Sequence, residues 1–234
     1  LRLEFALDLN QILYQISVWL LPVLLAITLH EAGHAYAARL FGDNTAWLLG
    51  RVSLNPAKHI DPVGTILIPG LLLLARSPFI FGYAKPVPVD FRALRPPRLG
   101  MVGVALAGPL ANILLATLAA LLFHTVQYLP DTFSGFVRQN LQNAIVINVV
   151  LAVFNMLPIP PLDGGRVAVG LLPRALARPL ADLEPYGFFI VLGLIFFLPI
   201  LGQAVGQDLN VVNWFIRAGA NALLAPILTL TGNA

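Results

Sequence analysis

An ionisable cluster set into an apolar run limits what this chain can become. Residues 18–29 are almost wholly apolar, and His30-Glu31-Ala32-Gly33-His34 follows directly, spelling H-E-x-x-H. A hydrophobic stretch of this length reads as a membrane-spanning helix, where titratable side chains are costly and mark functional sites. On a helix, His30 and His34 stand four apart and share one face. Two neutral imidazoles so placed can fill two corners of a tetrahedral Zn2+ site, with Glu31 beside them as general base. The same pattern also arises by chance in soluble helices, so the rest of the chain has to supply a third ligand.

Of the 234 residues, 58% are hydrophobic and 11% charged, the composition of a polytopic membrane protein rather than of a soluble domain with a large core. With no cysteine in the chain, disulfides and thiolate ligands are excluded. The small basic excess suits topogenic loop charge, not a nucleic-acid surface. The opening carries Glu4 and Asp8 without a basic region, so it is not expected to be a signal peptide.

Read in order, residues 11–41 form one long helix, with Gly42 and Asp43 as its stop, followed by a polar, turn-rich connection over residues 43–61. A second apolar run, residues 65–74, is interrupted by Pro69-Gly70 and is short for a crossing. Residues 79–89 carry Gly82, Pro86 and Pro88 and read as extended. Such backbone survives at membrane depth only when buried in protein or lining a wet cavity. Further apolar runs cover residues 99–129, 141–157, 186–201 and 211–230. The expected fold is therefore an all-α polytopic membrane protein with five to six transmembrane helices plus a re-entrant, extended hairpin. It is read as one domain over residues 1–234, with a core at about 11–170 and further helices at about 184–230.

Asp163 is the candidate third ligand. Pro158, Pro160 and Pro161 precede it and Gly164-Gly165 follow, so the chain approaches outside regular helix and can aim the carboxylate sideways. An Asp there also suits a helix cap, and that alternative stays open. Both motifs lie toward the C-terminal ends of their helices, so the first helix and the one ending near Leu157 have to run parallel. One intervening segment must then leave and return on the same face, and residues 65–89 are the candidate. With that arrangement 11 of the 14 basic residues, among them Arg39, Arg51, Lys58, Lys85, Arg92 and Arg166, fall on the face of the site. By the positive-inside tendency that face is cytoplasmic. Arg217 falls inside the last run and fits this scheme badly.

Three stretches together resemble the site-2 protease family of intramembrane zinc metalloproteases, across roughly residues 20–170. They are His30-Glu31-Ala32-Gly33-His34, Gly108-Pro109-Leu110-Ala111-Asn112, and Asn155-Met156-Leu157-Pro158-Ile159-Pro160-Pro161-Leu162-Asp163-Gly164. The resemblance implies a compact member without a PDZ-like module, in which His30, His34 and Asp163 bind one zinc ion per chain and Glu31 is catalytic. It also implies that Asn155 contacts substrate or stabilises the oxyanion. Transmembrane protein substrates and the lipid bilayer are the expected partners, without nucleic acid, in the cytoplasmic membrane of a prokaryote. A helical substrate would have to be unwound, and an exposed strand edge would hold it extended. Gly82, Tyr83, Ala84 and Lys85 are the candidates for that edge, a plain structural hairpin being the alternative. Asn112 and Asn148 read as hydrogen bonds between helices. A zinc or ion transporter, or a catalytically inactive membrane scaffold, are the rival functions. The intact Glu31 and the lack of repeated halves weigh against both.

Overall fold

The computed structural model describes residues 9–68, 71 and 84–233. The second half of the expected short apolar run and the start of the extended segment, Gly82 and Tyr83 included, lie outside the described residues.

Helix α1 (Leu9–Leu40) has 32 residues, roughly 48 Å of helix against a hydrocarbon core of about 30 Å. It stops where the sequence says it should. Gly42 adopts a φ of +98°, which lets the Asp43 N–H reach back to the Ala38 carbonyl at 2.9 Å. Pro22 lies inside α1. Lacking an N–H, it leaves the Val18 carbonyl without its partner one turn on. The Asn143 side-chain amide donates to that carbonyl at 3.0 Å.

Beyond α1 come the single turn α2 (Thr45–Leu48), a 3-10 turn (Pro56–Lys58) and a π-helical turn (Pro62–Leu67) capped by Asp61. Residues 84–90 have no regular secondary structure. The chain then comes back to where it left. The Arg95 N–H donates to the Phe41 carbonyl at 2.8 Å, and the Asp90 N–H donates to the buried Asp43 carboxylate at 2.8 Å. The other Asp43 oxygen accepts from the Thr45 N–H and hydroxyl. As expected, this connection leaves and returns on one face.

Helix α3 (Pro97–Phe123) is central and packs on α1, on α4 (Asp131–Asn155), on α5 (Asp163–Leu171) and on the last helix. After α5 come α6 (Arg174–Ala181), α7 (Gly187–Leu192), a π-helical turn (Gly193–Phe197), α8 (Leu198–Ala204) and α9 (Val211–Leu230). Helix α4 starts ten residues before the apolar run at 141–157. Its first turns carry Asp131, Ser134, Arg138 and Gln139, and such residues continue a helix past the lipid boundary. Hydropathy reports depth in lipid and not helix length. The same blind spot hid α6, which is too polar to register as an apolar run.

Among the described residues, five segments are long and apolar enough to cross a membrane: Leu13–Leu40, Pro97–Tyr128, Asp131–Asn155, Arg174–Ala204 and Val211–Leu230. No strand forms among those residues. Leu114, Phe189 and Phe197 are each 70% exposed on these helices, an arrangement suited to lipid and not to water. The chain is an integral membrane protein. Between helices the contacts are made by small residues: Ala116, Ala119 and Ala120 of α3 meet Ile145, Val149 and Val153 of α4, with Ile227 of α9.

Side-chain pairings fix the directions. Residues 26 and 34 of α1 meet 112 and 104 of α3, so these two are antiparallel. Val18 meets Asn143, and the turn at Ala26 lies level with Asn148, so α1 and α4 are parallel. That is the arrangement the depth of the two motifs demanded. Asn143→Leu is expected to cost about 1 kcal/mol of stability, measured by reversible unfolding in mixed micelles. In a Pro22→Ala background, where the helix satisfies Val18 itself, most of that cost should vanish.

Candidate metal centre

His30, His34 and Asp163 meet at one point. Their ligand atoms all lie within 4.8 Å of one another, on residues no more than 9% exposed. His30 Nε2 stands 3.0 Å from His34 Nε2, and the Asp163 oxygens stand 3.2 Å from His30 Nε2 and 3.4 Å from His34 Nε2. Each element has a local reason for its place. The four-residue spacing stacks the imidazoles on one face of α1. Asp163 is the first residue of α5, after turns over residues 156–162, and the cap position falls to Leu162. Leu162, and not Asp163, therefore stands where the sequence also allowed the carboxylate to cap the helix.

The protons on the two rings can be assigned from their partners. His34 Nδ1 faces the Val104 carbonyl at 2.7 Å, an acceptor only, so Nδ1 donates. His30 Nδ1 faces Asn112 Oδ1 at 2.6 Å. The Asn112 amide is oriented by its Nδ2, which donates to the Ala26 carbonyl at 3.1 Å, so His30 Nδ1 donates as well. In neutral rings both Nε2 atoms therefore present lone pairs to each other and to a carboxylate. Asp163 Oδ2 is buried without a hydrogen-bond partner among the described residues. Three lone pairs facing inward repel unless a cation lies between them. Bonds of about 2.1 Å in a tetrahedral site put ligand atoms about 3.4 Å apart, close to the three separations observed. Two imidazoles and a carboxylate are also a zinc donor set that leaves a fourth position open. The residues fit the metal.

Helix α3 reaches the rings because it is bare there. A Cβ on Gly108 would lie 2.5 Å from His34 Nε2 and 2.7 Å from His30 Cε1, and one on Gly33 would lie 2.7 Å from the Ala107 carbonyl oxygen. The cluster opens onto a cavity of about 470 Å³ that is also lined by Glu31, Ala84, Val87, Asn155 and Arg166. The Val87 N–H donates to Glu31 Oε2 at 2.8 Å, so the extended segment touches the candidate base directly. Asn155 lines the same cavity with its amide nitrogen bonded to the Leu151 carbonyl at 3.0 Å.

Of the candidate strand edge, Ala84 lines the cavity, whereas Lys85 is held from behind. Its N–H donates to the His59 carbonyl at 2.9 Å, and its carbonyl accepts from the buried Arg51 at 2.6 Å. Gly82 and Tyr83 lie outside the described residues. His59 is buried away from the cluster with Nε2 2.8 Å from the Ser53 carbonyl, and His124 lies 2.6 Å from the Thr231 carbonyl near the C-terminus.

Two cavity or cluster contacts went unseen in the sequence. Arg166 follows Asp163 by three residues on α5, which puts it on the same face; it stacks 5.0 Å over the Phe91 ring and pairs with Glu184 at 3.2 Å. Asn112 does join helices, but one of the atoms it joins belongs to a ring of the cluster.

The profile of peptidase family M50 matches residues 130–198. Among curated proteins, the chain is 38% identical to Putative zinc metalloprotease YwhC of Bacillus subtilis, over 89% of this chain and 93% of that protein. It is 32% identical to Putative zinc metalloprotease Rip2 of Mycolicibacterium smegmatis, over 81% of this chain and 72% of that protein. The Rip2 of Mycobacterium tuberculosis strain H37Rv is 29% identical over 86% of this chain and 74% of its own length. No solved structure gives a significant match.

Gly108→Ala is expected to push a methyl group into both imidazoles. Helix content by circular dichroism should be retained, while zinc affinity, read by chelator competition, falls at least about 10-fold.

Proposed function

Because the chain belongs to peptidase family M50, the site-2 protease family, we propose that it is a zinc-dependent endopeptidase that hydrolyses peptide bonds within or next to the transmembrane segments of membrane proteins. One observation carries this reading: His30, His34, Asp163 and Glu31 line a single cavity among membrane-spanning helices. One zinc ion held by the two imidazoles and Asp163 would supply Lewis acidity to water and to the scissile carbonyl.

The chain's own groups do the rest. Glu31, next to His30 in the sequence and facing the same cavity, takes the proton from the attacking water and returns it to the departing amine. The Val87 N–H holds one oxygen of that carboxylate and so fixes where the other points. Asn155, with one N–H tied to the Leu151 carbonyl, keeps its second N–H to donate and its Oδ1 to accept toward the substrate. The irregular stretch over residues 84–89 is the proposed resting place for an unwound peptide, with Ala84 and Val87 on the cavity wall. Arg51 pulls on the Lys85 and Pro86 carbonyls from behind and keeps the segment against the site.

The orientation follows from charge. Arg39, Arg51, Lys58, Lys85, Arg92 and Arg166 lie in or beside the elements at the end of the bundle that carries the cluster, which supports a site opening toward the cytoplasm.

Purified protein in liposomes is expected to cleave a model transmembrane substrate, and Glu31→Gln should lower the rate by about 10² to 10⁴ with zinc content unchanged. Equal cleavage by both proteins would refute the assignment of Glu31. Zinc uptake into sealed vesicles that survives Glu31→Gln, without cleavage by either protein, would replace the protease with a transporter. Val87→Pro removes the donor to Glu31 and should lower kcat with little change in zinc affinity.

A further inference from the structure

We propose that Asn148 is a positioning residue for His30: its side-chain amide, acting through Asn112, holds the ring that faces the metal. The inference rests on the zinc reading above and adds to it a residue that touches neither the metal ligands nor the cavity.

The chain of contacts runs through three helices. Asn148 Nδ2 donates to the Ala144 carbonyl of its own helix at 2.8 Å. Its Oδ1 is thereby turned toward α3, where it accepts from Asn112 Nδ2 at 2.8 Å. The second hydrogen of Asn112 Nδ2 goes to the Ala26 carbonyl on α1, and Asn112 Oδ1 accepts from His30 Nδ1. Asn112 is 0% exposed and Asn148 2% exposed, so water is not available to substitute for any link. Reversing either amide would place donor against donor or acceptor against acceptor. Only one sense of the chain satisfies all of its members, and in the neutral ring it leaves His30 Nε2 as a lone pair aimed at His34 and Asp163.

The helix that carries Asn148 is also the helix whose end leads into Asp163. It therefore reaches the cluster twice, through the ligand that follows it and through the amide that steers a ligand on α1. Packing alone would ask Asn148 only to fill space. The structure uses it as an acceptor of defined direction, and that difference can be measured.

The test compares Asn148→Val with Asn148→Thr, two side chains of matching shape. Thr keeps an oxygen that can accept from Asn112 while donating back to Ala144, and Val does not. Zinc affinity by chelator competition and the visible spectrum of the Co2+-substituted protein are read alongside the melting temperature of the metal-free form. Val is expected to weaken zinc binding about 10-fold or more and to alter the Co2+ bands, with the metal-free melting temperature close to that of Thr. Thr should stay within about threefold of the parent protein, against the 10- to 100-fold effects usual for such partners. Equal affinities and spectra in Val, Thr and parent would overturn the proposal and leave the zinc reading standing. A Val variant that fails to fold while Thr folds but binds zinc as weakly as Asp163→Asn would also overturn it, since size and not the acceptor would then matter. Absence of stoichiometric zinc from the parent protein would overturn both readings.

Discussion

Two imidazole lone pairs and a carboxylate, all nearly buried, are forced together on the wall of one cavity, and the rest of the molecule is arranged around that repulsion. Each ring nitrogen turned away from the cluster donates to an oxygen on α3, so in the neutral rings the nitrogens turned inward carry no hydrogen. In lipid such a knot is tolerable only if a cation relieves it. The donor set and its spacing suit a zinc ion, and a proton would relieve at most one of the three contacts. The polar groups behind the rings are satisfied in turn, down to a backbone carbonyl on α4.

Bringing Asp163 to the two histidines is a problem of depth before it is one of chemistry. Helices α1 and α4 run parallel, which requires the connection between α1 and α3 to begin and end on one face. Asp43 and the Phe41 carbonyl close that connection by binding Asp90 and Arg95. The same closure brings Val87 against Glu31. A topological requirement and the contact with Glu31 are thus met by one segment, and Arg51 braces it by donating to the carbonyls of Lys58, Lys85 and Pro86.

Much of this was legible in the residues. H-E-x-x-H within an apolar run singled out the two histidines on α1, and the prolines and glycines around Asp163 singled out the carboxylate that the structure brings beside them. The depth argument then required parallel helices and a connection confined to one face. What stayed hidden shares a physical cause. Hydropathy measures preference for lipid, so it missed the polar first turns of α4 and all of α6. Asn112 and Asn148 were recognised as polar groups needing partners, but sequence spacing carries no information on which partner lies across a helix interface. Arg166 stood one turn from Asp163 and could have been placed by helical periodicity once α5 was assumed. The Val87 contact depends on a backbone path that no local pattern encodes.

Pro22 lies two helical turns before His30, and its missing amide hydrogen leaves a carbonyl that Asn143 satisfies. If α1 were to spin about its own axis, that oxygen would swing into hydrocarbon unaccompanied. Rolling of α1 is therefore resisted at two heights, by the Asn143 contact at Val18 and by the Asn112 contacts at Ala26 and His30. A tilt or bend changes the direction of the helix and not its rotation about that axis. Whatever movement admits a bulky guest should therefore hinge α1 or displace its neighbours, while the azimuth of the two histidines stays put.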